Sequence, residues 1–148
     1  MDKGQKRGQD FVDFFARRLR HVKGGCARKP FKLAPWQDEI IRTIFGTLKA
    51  NGLRRYETAY VTTAKKNGKS ELAAGIALAT LLLDEEAGCE VYSAAATRDQ
   101  AGIVFRTAAQ MVRYDATLSS MCRIIASTKT IILKDEPNSF YKAISADA

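Results

Sequence analysis

A β-branched stretch that ends in a glycine turn and a Lys-Ser pair is the feature that most constrains this fold. Residues 58–70 read TAYVTTAKKNGKS, an apolar run that breaks at Asn67-Gly68 and ends in Lys69-Ser70. The next residues, ELAAGIALATLLL at 71–83, have the composition of a buried helix packed on a sheet. The order strand, glycine turn and helix predicts a phosphate-binding loop, because N–H groups of the turn and of the first helical residues point at an anion.

The loop also carries the side chains that a bound nucleotide requires. Lys69 has the reach to contact terminal phosphates, and the hydroxyl of Ser70 is a ligand for Mg²⁺. The usual pattern has a glycine five positions before Gly68, where this chain has Thr63. The alternative interpretation is a polar turn in which Ser70 caps the helix. The loop residues that we predict to bind ATP are Thr63, Ala64, Lys65, Lys66, Asn67, Gly68, Lys69 and Ser70.

Length and composition indicate one globular domain with a basic N-terminal part. The 148 residues are 46% hydrophobic and 27% charged, and the longest apolar run, residues 72–83, is too short to cross a bilayer. Residues 1–30 hold nine Lys or Arg against three Asp or Glu, out of a net charge of +8. This basic helical arm fits contact with DNA, and it fits a solvated terminus equally well. Three widely spaced cysteines with one histidine indicate reduced thiols in a cytosolic protein.

Helical and β-prone segments alternate along the chain. Periodic apolar residues predict helices over Asp10–Val22, with Asp10 as N-cap, from Pro35 to about Asn51, over 71–83, and from Thr97 to Val112. The βαβα order predicts an α/β fold of the P-loop NTPase type, a three-layer αβα arrangement whose mainly parallel sheet binds ligands at the carboxyl ends of its strands. Two of the last short strands are candidates for a hairpin. The predicted strands are 58–63, 90–96, 123–126, 130–133 and 140–144.

Three motifs together are similar to those of one protein family. They are Leu33-Ala34-Pro35-Trp36-Gln37, the glycine-poor loop 63–70, and YSAAATRDQA at 92–101. By their order and spacing, from about Phe31 to the C-terminus, the chain resembles the N-terminal ATPase domain of the terminase large subunit of tailed bacteriophages. The resemblance implies a motor that uses ATP and Mg²⁺ to package double-stranded DNA into a procapsid. It implies a small terminase subunit and the portal as partners, and the cytoplasm of a bacterial host as the location.

The resemblance also implies roles for single residues. It makes Gln37 the reader of adenine, with Trp36 beside it, and it makes Lys69 and Ser70 the ligands of phosphate and Mg²⁺. Lys65 stands where many members have an arginine that senses the γ-phosphate, although a lysine lacks the planar fork of that arginine. From the residues alone, an interpretation of Trp36 as a core aromatic and of Gln37 as a surface residue stays open.

The acidic pair that ATP hydrolysis requires is hard to find in the sequence. A motor of this class needs an Asp at the end of a strand to hold Mg²⁺, and a following Glu to activate water. Asp135-Glu136 follows an apolar run but precedes Pro137 in an apparent turn. We therefore expect residues 31–148 to form a partial ATPase domain, incomplete at its C-terminus and without a nuclease domain, that hydrolyses ATP poorly.

Two other functions stay open at this stage. One is a fragment of a helicase-like DNA translocase, a class that also pairs an upstream glutamine with a phosphate loop. The other is a DNA-binding remnant without catalysis, whose residues 1–30 bind DNA. Residues 93–100 resemble the segment that lies near DNA in related translocases, which makes Arg98 a candidate contact to a DNA phosphate; an exposed helix-start arginine is the alternative. Oligomers are possible, because an unpaired sheet edge promotes self-association.

Overall fold

The computed structural model describes residues 1–64, 68–84 and 86–146, and its α/β fold agrees with the predicted class. Most predicted elements are present with shifted ends. The helices are α1 (Lys3–Arg18), α2 (Pro35–Gly46), α3 (Lys69–Leu83), α4 (Arg98–Tyr114) and α5 (Ala116–Met121). The strands are β1 (Glu90–Ala95), β2 (Cys122–Ile125), β3 (Thr130–Leu133) and β4 (Phe140–Ser145).

The four strands form one mixed sheet in the order β1-β4-β3-β2. β1 and β4 are parallel, with Val91 opposite Tyr141, and the chain between them includes α4. β3 is antiparallel to both β4 and β2, so the predicted hairpin is confirmed. The antiparallel pairings follow from the short connections 126–129 and 134–139, because a parallel crossover requires a dozen or more residues.

Helices α3 and α4 pack side by side on one face of the sheet. The buried side chains on that face include Ile131, Tyr141 and Ala143, whereas Tyr92 and Ile144 point to the opposite face and are exposed. Two of the three layers of the predicted αβα arrangement are therefore seen among residues 1–64, 68–84 and 86–146. Because α3 precedes β1 and α4 follows it, both helices run opposite to β1, and both begin at its carboxyl end.

Helix α1 begins seven residues earlier than predicted. The side chain of Asp2 accepts a hydrogen bond from the N–H of Gln5 at 2.7 Å, so Asp2 is the N-cap and the prediction of Asp10 in that role is wrong. The first turns carry no apolar stripe, because here Gly4 and Gly8 lie against α2. Glycines replace the bulky residues on which a periodicity argument depends.

The N-terminal helix belongs to the main core. The Phe11 ring stacks on Phe45 of α2 at 4.2 Å between centroids, and Phe15 meets Phe31 edge-on at 5.2 Å. Both α1 phenylalanines are fully buried in the cluster that includes the sheet residue Tyr141. Residues 1–30 are thus packed against the rest of the described chain rather than detached from it.

The prediction of a strand over 58–63 is wrong. These residues pair with no strand of the described sheet, and Tyr60 is 93% exposed. β-branched composition reports how well a segment fits a half-buried pleated surface, and a strand forms only where a neighbour completes its hydrogen bonds. In the described part of the chain, the sheet is built entirely from residues 90–145. No helix in residues 1–64, 68–84 and 86–146 is long and apolar enough to cross a membrane.

Candidate nucleotide-binding site

The glycine turn before α3 has the backbone conformation that a phosphate loop requires. Gly68 is the N-cap of α3 with φ 75° and ψ 26°, a left-handed conformation that favours glycine. Its carbonyl accepts the N–H of Leu72 at 2.9 Å and starts the helix, while no side chain caps the turn from position 68. The first-turn N–H groups and the positive end of the helix dipole are therefore directed at a position outside the helix.

The side chains of this turn suit an anion with a metal ion. Lys69 is exposed and Ser70 is half-buried on the first turn of α3. Upstream, the Thr63 hydroxyl donates to the carbonyl of Ala64 at 3.0 Å. The predicted loop residues Lys65, Lys66 and Asn67 lie outside the described residues.

A second helix begins at the same edge of the sheet. The Thr97 side chain accepts the N–H of Gln100 at 3.2 Å and so caps the start of α4. Arg98 is the first residue of α4 and is exposed. Because α3 and α4 both start at the carboxyl end of β1, their positive ends lie at one edge, where ligands of parallel α/β sheets bind.

Trp36 is exposed and Gln37 is buried, the reverse of the interpretation that needs no ligand. Trp36 is 37% exposed at the start of α2, whereas Gln37 is 7% exposed. The Gln37 side-chain oxygen accepts the N–H of Ala34 at 2.9 Å, so it stabilises the start of α2. The interpretation of Trp36 as core and Gln37 as surface is wrong, because a capping amide is held against the chain that enters the helix.

Helix α2 lies beside the segment that leads into the loop. A groove of about 390 Å³ separates the two and is lined by Ile40, Ile44, Tyr60 and Val61, among others. Gln37 is one turn earlier on the same helix. Within the described residues, no hydrogen bond joins the Gln37 side chain to the first turn of α3.

The structure separates Asp135-Glu136 from the loop. Glu136 accepts the N–H of Gly88 at 3.0 Å, and Gly88 lies just beyond the C-terminal end of α3. Lys69 lies at the opposite end of this 15-residue helix, about 22 Å away along its axis. The acidic pair is thus at the amino ends of β1 and β4, so it cannot act on a phosphate at Lys69.

One residue beside the loop was not predicted from sequence. His21 Nδ1 lies 2.6 Å from Glu71 Oε2, and Glu71 is in the first turn of α3, next to Ser70. The His21 ring also stacks on Phe31 at 4.4 Å. The two partners are 50 positions apart in the sequence, and no local pattern joins them.

The clearest pKa shifts lie in the core. Burial raises the pKa of the Cys122 thiol to about 11, and burial also raises the pKa of Tyr141, whose hydroxyl is 2.7 Å from that of Ser93. Burial, with the nearby carboxylates of Asp84 and Glu86, raises the pKa of Cys89. Cys26, Cys89 and Cys122 are free thiols.

A sheet with parallel β1 and β4, helices that begin at its carboxyl edge, and a left-handed glycine before Lys69-Ser70 define the class of α/β nucleotide-binding domains. The family model described as "Terminase large subunit, ATPase domain" matches residues 35–148. The chain belongs to the terminase large subunit family, and the matched part is its ATPase domain.

Two further similarities extend over nearly the whole chain. The large terminase subunit of Enterobacteria phage HK97 is 33% identical over 143 residues, which cover 95% of this chain and 27% of that protein. The crystal structure of the HK97 large terminase superposes with a TM-score of 0.80 at 33% identity, covering 96% of this chain and 28% of that one. The chain therefore spans about a quarter of the length of this relative.

Proposed function

We propose that this chain is the ATP-binding portion of a terminase large subunit, the motor that packages double-stranded DNA into procapsids. The observation that carries the proposal is the start of α3, where Gly68 in the left-handed region is followed by Lys69 and Ser70. In this role the first-turn N–H groups and Lys69 contact phosphates, and Ser70 ligates Mg²⁺. Membership of the ATPase domain family supports nucleotide binding.

We further propose that Gln37, Trp36 and Lys65 complete the nucleotide site. The side-chain oxygen of Gln37 accepts a hydrogen bond from the N–H of Ala34. Its NH₂ group is the part of the side chain that remains to donate to an adenine edge. Trp36, exposed beside it, offers an aromatic face for the base. Lys65 supplies a point charge toward the γ-phosphate.

Binding without rapid turnover is the expected behaviour of the isolated 148-residue chain. Asp135-Glu136 was the candidate catalytic pair, because it follows an apolar run. Its position near Gly88 excludes it from the nucleotide site. A water-activating carboxylate has to lie within hydrogen-bond reach of the attacking water. We expect saturable binding of Mg-ATP with little release of phosphate.

Fluorescence titration with mant-ATP and Mg²⁺ tests the proposal. Lys69→Ala is expected to weaken binding by about tenfold or more, because a charge-assisted phosphate contact contributes about 1.5–3 kcal/mol. Lys32→Ala is the matched control, since Lys32 is an exposed lysine outside the loop. Equal affinity of the wild type and Lys69→Ala would contradict the loop assignment. Rapid hydrolysis that depends on Glu136 would contradict the placement of the acidic pair.

Double-stranded DNA is the proposed polymeric partner, in the cytoplasm of a bacterial host, with a small terminase subunit and the portal as proposed protein partners. The excess of six positive charges over residues 1–30 supports contact with DNA, and α1 exposes Arg17 and Arg18. Binding to duplex DNA is expected to weaken steeply as the salt concentration rises. An Arg17→Ala, Arg18→Ala double variant is expected to reduce the slope of log affinity against log salt concentration. A slope unchanged by the double variant would remove α1 from the DNA interface.

A further inference from the structure

The His21–Glu71 pair lies at the first turn of α3. With Gly68 as N-cap, Glu71 occupies the third helical position. A glutamate at this position commonly turns back and accepts a hydrogen bond from the N–H of the N-cap residue. In a phosphate loop that N–H is one of the donors that an anion needs, so the Glu71 carboxylate is a potential internal competitor of phosphate.

His21 directs the carboxylate elsewhere. The distance of 2.6 Å between Nδ1 and Oε2 is that of a short hydrogen bond, and a carboxylate only accepts, so Nδ1 is the donor. Both side chains are partly buried, with 24% of His21 and 16% of Glu71 exposed. The carboxylate is therefore turned toward the α1 side of α3.

The histidine itself is held from several directions. Its backbone N–H donates to the backbone carbonyl of Lys29 at 2.9 Å, and its backbone carbonyl accepts the N–H of Arg28 at 2.7 Å. Its ring stacks on the buried Phe31, which packs against Phe15 of α1. Because hydrogen bonds hold the backbone of His21 and its ring stacks on a buried phenylalanine, the imidazole is a preorganised partner for Glu71 rather than a mobile surface side chain.

We propose that His21 is a positioning residue of the nucleotide site, which binds the Glu71 carboxylate and so keeps the N–H groups at Gly68 available to phosphate. This inference rests on the proposed function of the loop. It adds a residue 50 positions away from Glu71 to the site, and it assigns the N-terminal segment a role in nucleotide affinity.

A double-mutant cycle on mant-ATP affinity in the presence of Mg²⁺ tests the proposal. His21→Phe keeps an aromatic ring at this position but has no hydrogen-bond donor, and it is expected to weaken binding about fivefold, because a capping interaction of about 1 kcal/mol then competes with phosphate. Glu71→Ala removes the competitor, so adding it to His21→Phe is expected to restore affinity to within about twofold of the Glu71→Ala single variant. Lys29→Gln is the control for a substitution at an exposed position of the same segment.

The cycle separates positioning from general destabilisation. If His21 acts only through packing, His21→Phe weakens binding to the same extent with Glu or Ala at position 71, and that result overturns the proposal. Unchanged affinity in His21→Phe overturns it as well.

Failure of the proposed function gives a different pattern. If neither wild type nor Lys69→Ala binds mant-ATP, amide hydrogen exchange of residues 68–70 decides. The positioning role predicts slower exchange in His21→Phe, because Glu71 then caps the turn, and no slowing when Glu71→Ala is added. Exchange that is the same in all variants overturns the inference independently of nucleotide.

Discussion

Replacing Gly75 by alanine is expected to destabilise the protein although alanine is the better helix former. Gly75 lies in α3 where α1 crosses it, and a Cβ at this position would lie 2.8 Å from Phe15 Cζ and 3.0 Å from Leu19 Cδ1. Phe15 is fully buried, and its ring meets Phe31 edge-on at 5.2 Å. The ring therefore has no free space to enter, and the strain falls on the contact between α1 and α3.

The magnitude follows from two opposing effects. Glycine to alanine inside a helix stabilises by about 0.5–1 kcal/mol, while overpacking a filled core costs about 1–3 kcal/mol. The net loss for Gly75→Ala is thus about 1 kcal/mol, with an upper limit of about 2.5 kcal/mol. Gly102→Ala in α4 is the matched control, because its Cβ would meet the flexible end of Arg106, with Nη1 at 2.6 Å. That variant is expected to gain up to about 1 kcal/mol.

Urea unfolding followed by circular dichroism measures both variants. The expected result is a lower midpoint for Gly75→Ala and an equal or higher midpoint for Gly102→Ala, with unchanged m values. A Gly75→Ala variant as stable as Gly102→Ala would refute the close approach of Phe15 to α3. The comparison matters for the site, because the same contact sets the position of α3 relative to α1 and therefore of Glu71 relative to His21.

Two further predictions concern the opposite sheet edge and the buried thiol. Glu136→Ala is expected to cost up to about 1 kcal/mol in urea unfolding through loss of its bond to Gly88, and to leave mant-ATP affinity unchanged; an affinity loss would contradict the separation of the two edges. Burial raises the pKa of Cys122 from 9.0 to about 11, so the folded state keeps the thiol neutral to a higher pH than the unfolded state does. The resulting contribution to the free energy of unfolding is complete below pH 9 and is lost as pH rises through about 11. Cys122→Ala is therefore expected to reduce the loss of stability between pH 9 and 11, and an unchanged alkaline profile would contradict it.

The parts of the fold that sequence reasoning predicts are those whose signal is contained within one element. Helix α3 begins at Lys69 after the predicted glycine turn, and β1 begins at the predicted Glu90. The capped start of α4 at Thr97 agrees as well. In each case local composition, caps and spacing indicate the same secondary structure, so the element can be predicted without knowledge of its tertiary contacts.

The parts that sequence reasoning missed depend on groups distant in the chain. Residues 58–63 have strand composition without a strand partner among the described residues, and Gln37 is buried because its amide caps α2. Contacts of Gly4 and Gly8 with α2 leave no periodic apolar signal at the start of α1. His21 and Glu71 are polar residues in unrelated segments, and only the packing of α1 on α3 brings them together. Such features require the tertiary structure because no short-range pattern encodes them.

Strand direction explains why an acidic pair in a favourable local sequence has the wrong location. The Asp135-Glu136 pair follows the apolar strand β3, as a metal-binding and catalytic pair should. β3, however, is antiparallel to β4, so its carboxyl end lies beside the amino ends of β1 and β4. The start of α3, with Lys69 and Ser70, is at the other edge, where β1 ends and α4 begins. A strand delivers acidic residues to the nucleotide only if it runs parallel to β1, so the direction of each strand has to be established before a motif at its end is assigned to catalysis.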